Sequence, residues 1–205
     1  MAKKRGGKPQ EYQKRLFILC EGSKNHSEEA YLKGFLKICK VPSTVTIEVK
    51  DSKKNTGKEL VEAAADLKEF PYDEVWVVYD KDGYTKHPET FQIARQKNVN
   101  IAFSAISFEV WILLHFKYTT TSFLKSEKVI NYIKKNTSLA YKKNNKAIYQ
   151  HIIKANGSLE TALANAEKIQ KFNLKSHHFR KRYKYDAYTD VDKLIIAIRK
   201  MIVKK

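Results

Sequence analysis

The chain has 205 residues, of which 42% are hydrophobic and 12% aromatic, enough for one domain or for one domain with an appended subdomain. Its two cysteines, Cys20 and Cys39, form neither a disulfide framework nor a Cys-x-x-Cys motif, which favours a reducing, intracellular setting. No apolar segment of signal-peptide length follows the basic N-terminus, and the run from Leu16 to Cys20 is too short to span a membrane. We therefore expect a soluble, cytoplasmic protein.

The formal net charge of +18 is distributed unevenly along the chain. Residues 1–116 contain 19 Lys and Arg against 16 Asp and Glu, whereas residues 117–185 contain 16 against 3. A lysine-rich composition explains part of this excess, but it does not explain why the acids are missing from one block. A cationic block interleaved with aromatic residues favours a polyanionic partner such as DNA or RNA.

Hydrophobic periodicity predicts alternating strands and helices in the first part of the chain. We predict strands over residues 16–20, 45–49, 75–79 and 100–104, and helices over residues 27–40, 58–70, 88–97 and 107–116. This order predicts an α/β fold, with a mostly parallel sheet and helices on both of its faces. Residues 1–13 are expected to form a flexible basic arm, and residues 14–118 the α/β core.

Residues 119–205 are predicted to form a mainly helical, basic region. Helices are expected near residues 126–135, 146–154 and 158–172, with Ser158 capping the third. A last helix, opened by Thr189 with Asp192 as its capping-box partner, should pack back on the core. Residues 173–188 show no periodicity.

The strand at residues 75–79 ends in a pair of carboxylates, Asp80 and Asp82, followed by Gly83. Ligands of open α/β sheets bind beyond the carboxyl ends of the strands, so this pattern favours a metal or phosphate site. The alternative is an acidic turn that caps the next helix.

Glu21 follows the other buried strand, residues 16–20, in the same way. Because the carboxyl ends of parallel strands share one edge, Glu21, Asp80 and Asp82 are expected to converge. Crowded carboxylates repel each other unless a cation neutralises them, and oxygen ligands suit Mg²⁺ or Mn²⁺. Such an ion activates water and stabilises charge on a phosphate.

The apolar segment Ser107–Phe116 contains one acid, Glu109, near its predicted start, and His115 near its end. Glu109 either stabilises the helix dipole or points into a site. His115 is interpreted as a hydrogen-bonded core histidine, with Ser107 as a possible N-cap.

A basic and aromatic cluster in the C-terminal region is the candidate nucleic-acid contact. Phosphate binding and base stacking are predicted for five residues, Arg180, Lys181, Arg182, Tyr183 and Lys184. The alternative is that the tyrosines border the core and the charges are simply solvated.

These motifs together resemble the RloB-like family over nearly the whole chain. The resemblance rests on Cys20-Glu21-Gly22, on Asp80-Lys81-Asp82, on the segment from Phe108 to Phe116, and on Tyr188-Thr189-Asp190-Val191. It implies a Toprim-like core, a role in phage defence by abortive infection, and a neighbouring ATPase as a possible partner. It also implies that Glu21, Asp80 and Asp82 bind the metal, with Glu28 and Glu109 as secondary acids of the site. Lys24-Asn25-His26 widens the usual spacing before Glu28.

Three functions are compatible with this pattern. The first is a Mg²⁺- or Mn²⁺-dependent nuclease, in which Glu21, Asp80, Asp82 and Glu109 carry the chemistry. The second is a phosphatase of the HAD type with Asp80 as nucleophile, because Asp80 to Thr85 also resembles the start of that family's motif. The third is a non-catalytic nucleic-acid-binding protein or partner subunit of a defence ATPase.

Overall fold

The structure, a computed structural model, describes residues 13–22, 27–54, 56–81, 85–176 and 181–203. In the first half of the chain the elements are β1 Lys14–Glu21, α1 Ser27–Cys39, β2 Val45–Ser52, α2 Gly57–Ala65, β3 Glu74–Asp80, α3 His87–Gln96, β4 Asn100–Ala105 and α4 Glu109–Leu114. In the second half they are α5 Ser126–Asn136, α6 Ile148–Lys154, α7 Leu159–Ser176, a 3-10 turn Arg182–Lys184, β5 Tyr188–Thr189 and α8 Val191–Ile202.

The strands form one five-stranded sheet in the order β2-β1-β3-β4-β5. Strands β1 to β4 pair in parallel, and only the short strand β5 runs antiparallel, against β4. The predicted α/β fold with a mostly parallel sheet and a C-terminal helical region is therefore confirmed. The two central strands, β1 and β3, end beside each other at the carboxyl edge of the sheet.

Both faces of the sheet are covered by helices, which explains why the central strands are apolar without a polar break. Alternate residues of β1 enter different hydrophobic clusters, Leu16 and Ile18 on one face and Phe17 and Leu19 on the other. Helices α2 and α3 contribute to the second cluster, and the remaining helices contribute to the first.

The C-terminal region shares the hydrophobic core of the α/β region. Residues of α5, α6 and α7 belong to the same buried cluster as β1 and α1. Leu194, Ile195 and Ile198 of α8 are fully buried in that cluster. None of the helices in the described ranges is long and apolar enough to cross a membrane.

Several predicted boundaries were wrong. Helix α2 ends at Ala65 rather than at residue 70. The last helix begins at Val191, because Thr189 belongs to β5, where its hydroxyl lies 3.1 Å from that of Ser104 and accepts a hydrogen bond from the Val191 N–H. Ser107 does not cap α4 with its side chain, and its hydroxyl finds no hydrogen-bond partner among the described residues.

Candidate active site

A cavity of about 410 Å³ opens at the carboxyl edge of the sheet, where β1 and β3 end. Its described lining consists of Glu21, Gly22, Ser27, Glu28, Asp80, Ser107, Glu109, Ser126, Lys143 and Asn144. Four of these residues are acids, and they come from four different elements. We refer to this cavity as the acidic cavity.

Glu21 and Asp80 are joined directly at this edge. The carboxylate of Glu21 accepts a hydrogen bond from the backbone N–H of Asp80 at 3.3 Å. The chain then leaves β1 through Gly22, whose φ of 96° is a conformation that favours glycine. Burial raises the pKa of Glu21, and the hydrogen bond from Asp80 opposes that rise.

The charge of Asp80 is poorly compensated within the acidic cavity. The nearby backbone N–H of Phe108 favours the anionic form and opposes a rise in the pKa of Asp80. The buried oxygen Oδ1, however, has no hydrogen-bond partner among the described residues. Burial, and then the nearby charges of Glu28 and Glu109, raise the pKa of Asp80 well above its ordinary value. The anionic form of this side chain is therefore strongly disfavoured unless a cation approaches.

Glu28 lies in the first turn of α1 and Glu109 in the first turn of α4. Burial, reinforced by the charges of Glu109 and Glu21, raises the pKa of Glu28 to about 7. Only 4% of Glu109 is exposed to solvent. This acid is held by the hydroxyl of Tyr141, which donates a hydrogen bond to its Oε1 at 2.8 Å.

Tyr141 was not predicted as a site residue. Its hydroxyl also lies 2.8 Å from the hydroxyl of Ser27, so one buried phenol links the starts of α1 and α4. Lys143 and Asn144, on the same loop, were missed as well. This loop has no motif and lies about 30 residues beyond the nearest acid of the site, so only the folded chain reveals its position.

The donor set of the cavity is compatible with a hard divalent cation, because it consists of carboxylate and hydroxyl oxygens. Oδ1 of Asp80 has no hydrogen-bond partner among the described residues, so its lone pairs are available to bind such a cation. Among the described residues, however, no three His, Cys, Asp or Glu side chains are grouped closely enough to hold one ion together. Asp82, the third expected ligand, lies outside the described residues.

Lys81 turns away from the cavity although it directly follows Asp80. Its ammonium donates a hydrogen bond to the carbonyl oxygen of Tyr185 at 2.8 Å and lies 3.5 Å from a carboxylate oxygen of Asp186. Lys81 therefore fastens the end of β3 to the segment that precedes β5.

His115 is a core histidine, as the sequence indicated. It is 1% exposed, with Nε2 2.9 Å from the hydroxyl of Tyr31 and Nδ1 3.0 Å from the carbonyl oxygen of Trp111. Since a carbonyl only accepts, Nδ1 carries the proton and Nε2 accepts from Tyr31. Burial lowers the pKa of His115 to about 4.

Some side chains of the basic cluster contact other residues of the protein, and others are exposed to solvent. The guanidinium of Arg182 forms an ion pair with the fully buried Asp190 at 2.5 Å and lies 4.7 Å from the ring centre of Phe91. The ring of Tyr183 stacks on that of His87, with centroids 6.0 Å apart. Lys181 and Lys184 are exposed. Arg180 lies outside the described residues.

Comparison with protein-family models gave a match. The family model described as RloB-like protein matches residues 16–198, which is most of the chain. The comparisons with curated proteins and with solved structures gave no match.

Proposed function

The chain belongs to the RloB-like protein family, and on the basis of the acidic cavity we propose that it is a divalent-metal-dependent nuclease. Its substrates would be the phosphodiester bonds of DNA or RNA. The acidic cavity would be the active site, and Mg²⁺ or Mn²⁺ the cofactor.

One observation carries this proposal: Asp80 Oδ1 is buried in the acidic cavity without a hydrogen-bond partner among the described residues. A buried carboxylate oxygen that has no hydrogen-bond partner and has acids around it is costly for a fold. Perturbed acids in a cleft are typical of functional sites. The location also agrees, because open α/β sheets bind ligands beyond the carboxyl ends of their strands.

Glu21 and Asp80 would hold the ion, together with Asp82, and water and phosphate oxygens would complete its coordination. When bound, the ion would lower the pKa of a bound water and offset negative charge on the scissile phosphate. Glu21 is already oriented by the Asp80 N–H. Glu109, which Tyr141 holds in the same cavity, would orient a water by hydrogen bonding. Glu28, with a pKa raised to about 7, would accept or release a proton near neutral pH.

The charge distribution supports a nucleic-acid substrate. A net charge of +18 attracts polyanions, and phosphate contacts by lysine are the main source of non-specific affinity. Within the basic cluster, the exposed Lys181 and Lys184 are the candidates for such contacts. Arg182 forms an ion pair with Asp190 and Tyr183 stacks on His87, so these two side chains would contribute less to nucleic-acid binding than the exposed lysines.

The biological setting is proposed from the family resemblance alone. It implies phage defence by abortive infection, and it implies that an ATPase encoded nearby is a possible partner.

The test is cleavage of single-stranded DNA, duplex DNA and tRNA with Mg²⁺ or Mn²⁺, comparing the wild type with Asp80→Asn. This substitution keeps the shape of the side chain and removes its charge. Asp66→Asn, at an exposed position at the end of α2, is the matched control. We expect metal-dependent cleavage by the wild type and the control, and a loss of at least about a hundredfold in Asp80→Asn.

Equal cleavage by the wild type and Asp80→Asn would remove the assigned site. Tight nucleic-acid binding without any metal-dependent cleavage, alone or with a neighbouring ATPase, would instead favour the non-catalytic alternative.

A further inference from the structure

The loop of residues 137–147, which connects α5 to α6, closes one side of the acidic cavity. Tyr141 anchors this loop: it is 1% exposed and its hydroxyl contacts both Ser27 and Glu109 at 2.8 Å. Lys143 and Asn144 follow and line the cavity. The C-terminal helical region therefore contributes part of the wall of a site whose acids all come from the α/β region.

The loop is fixed on both sides of Lys143. Before it, Tyr141 is buried and its N–H donates to the carbonyl oxygen of Leu139 at 2.8 Å. After it, Asn144 adopts a φ of 59°, a left-handed conformation that asparagine tolerates. Asn145 then accepts a hydrogen bond from the N–H of Ala147 at 3.0 Å, just before α6 begins. The backbone thus holds Lys143 at the cavity rim.

Lys143 is the one basic side chain among the described residues that line the acidic cavity. Its positive charge opposes the rise in the pKa of Glu28, so the ammonium acts electrostatically on the cavity. Nevertheless, Lys143 forms no ion pair with any carboxylate in the described part of the chain. By contrast, Lys33 and Lys193 each form one, with Glu29 and Asp190. A lysine that only neutralised the acids would be expected to pair with one of them.

A rim cation that faces acids without pairing with them is suited to a ligand that carries its own negative charge. Three requirements are met: the ammonium is exposed, it is held at the cavity by an anchored loop, and it stands on a different element from the acids. A phosphate group between Lys143 and the carboxylates would be contacted by the ammonium on one side and by a divalent ion on the other.

We propose that Lys143 is the phosphate-binding residue of the acidic cavity, its ammonium contacting a non-bridging oxygen of the substrate phosphate. This inference rests on the proposed function and adds that the C-terminal region supplies a substrate contact. Lys143 then selects ligands by their phosphate group, without reading the base.

The test is binding of a nucleoside 5′-monophosphate, which carries a phosphate but no phosphodiester bond to cleave. Affinity is measured by calorimetry in the presence of Mn²⁺ for the wild type, Lys143→Gln and Lys142→Gln. Lys142 is an ideal control because it is an exposed neighbour on the same loop, does not line the cavity and carries the same charge. Melting temperatures of both variants verify that the loop still folds.

We expect Lys143→Gln to weaken binding about tenfold, Lys142→Gln to change it less than twofold, and Lys143→Arg to restore part of the loss. Equal losses in Lys142→Gln and Lys143→Gln would overturn the proposal, as would absence of binding by the wild type at millimolar concentrations. Failure of the nuclease function would appear differently, as a wild type that binds the nucleotide but cleaves no nucleic acid.

Discussion

The carboxylate of Glu21 accepts a hydrogen bond from the backbone N–H of Asp80, at 3.3 Å, across two neighbouring parallel strands. The two residues are 59 positions apart in the chain. This contact fixes where one acid stands relative to the other, and it leaves the Asp80 carboxylate turned to the cavity with a buried, unpartnered oxygen. The site is therefore preorganised by the backbone, while its charge is left uncompensated.

The first prediction concerns the effect of the Asp80 charge on the free energy of unfolding. Because the folded-state pKa of Asp80 is raised, the stability that this group contributes is present at low pH and is lost as the pH rises above about 4. Without divalent ions, Asp80→Asn should therefore be more stable than the wild type, by about 1 to 3 kcal/mol at pH 8. Urea denaturation between pH 4 and pH 8 measures the difference.

When metal is added, the wild type should become more stable than Asp80→Asn. Millimolar Mn²⁺ should raise the melting temperature of the wild type and of Asp66→Asn, and it should leave that of Asp80→Asn nearly unchanged. An Asp80→Asn protein that is less stable than the wild type in EDTA would show that the acid is structural.

The second prediction concerns Tyr141. Tyr141→Phe removes the hydroxyl that joins Glu109 to Ser27 and leaves a buried carboxylate oxygen without its donor. We expect a loss of about 1 to 2 kcal/mol in the free energy of unfolding. A double-mutant cycle with Glu109→Gln should give a coupling energy of about 1 kcal/mol.

Tyr132→Phe provides the matched control for that cycle. Tyr132 is half-buried, and its hydroxyl makes no hydrogen bond with any residue in the ranges that the structure covers. Its substitution should change stability by less than about 0.5 kcal/mol. Additive effects of Tyr141→Phe and Glu109→Gln would show that the two side chains do not interact directly.

The strand pattern was sufficient to predict that Glu21 and Asp80 meet, but not which loop completes the acidic cavity. Glu21 and Asp80 follow apolar strands, and the parallel order of these strands is enough to bring their ends together. Tyr141 and Lys143 have no such signal, because a loop between two helices is positioned by how the helices pack. Local spacing carries no information about that packing.

Local spacing also failed to predict the start of the last helix, near the C-terminal end of the chain. Thr189 and Asp192 have the spacing of a capping box, which predicts a helix from Thr189. In the structure Thr189 pairs with Ser104 of β4 instead, and the helix begins at Val191. A two-residue strand is too short to be recognised from periodicity, and its sheet partner is 85 residues away.

The third prediction separates two basic residues that the sequence places together. Arg182→Ala removes one of the two ion pairs of the buried Asp190, since the pair with Lys193 remains, and it should destabilise the fold by about 2 kcal/mol. Lys184→Ala removes the same charge from an exposed position, so stability should change by less than about 0.5 kcal/mol.

Although Lys184→Ala should hardly change stability, it should weaken nucleic-acid binding. If this side chain contacts a phosphate, Lys184→Ala lowers the slope of log affinity against log salt by about 1. Fluorescence anisotropy with a labelled oligonucleotide at several salt concentrations measures that slope. An unchanged slope would exclude Lys184 from the binding surface.

The last prediction concerns His115, whose pKa is lowered by burial to about 4 while that of an unfolded histidine is about 6.5. Between these values the unfolded chain binds the proton more readily, so the contribution of His115 to stability is complete above pH 6.5 and declines as the pH falls towards 4. The expected loss over this window is about 3 kcal/mol.

In His115→Gln, the slope of unfolding free energy against pH should be shallower between pH 4 and 6.5, whatever the absolute stability of the variant. His151→Gln, at an exposed position, controls for the replacement of a histidine by glutamine. Parallel slopes for the wild type and His115→Gln would show that the buried imidazole takes up a proton as readily in the folded protein as in the unfolded chain.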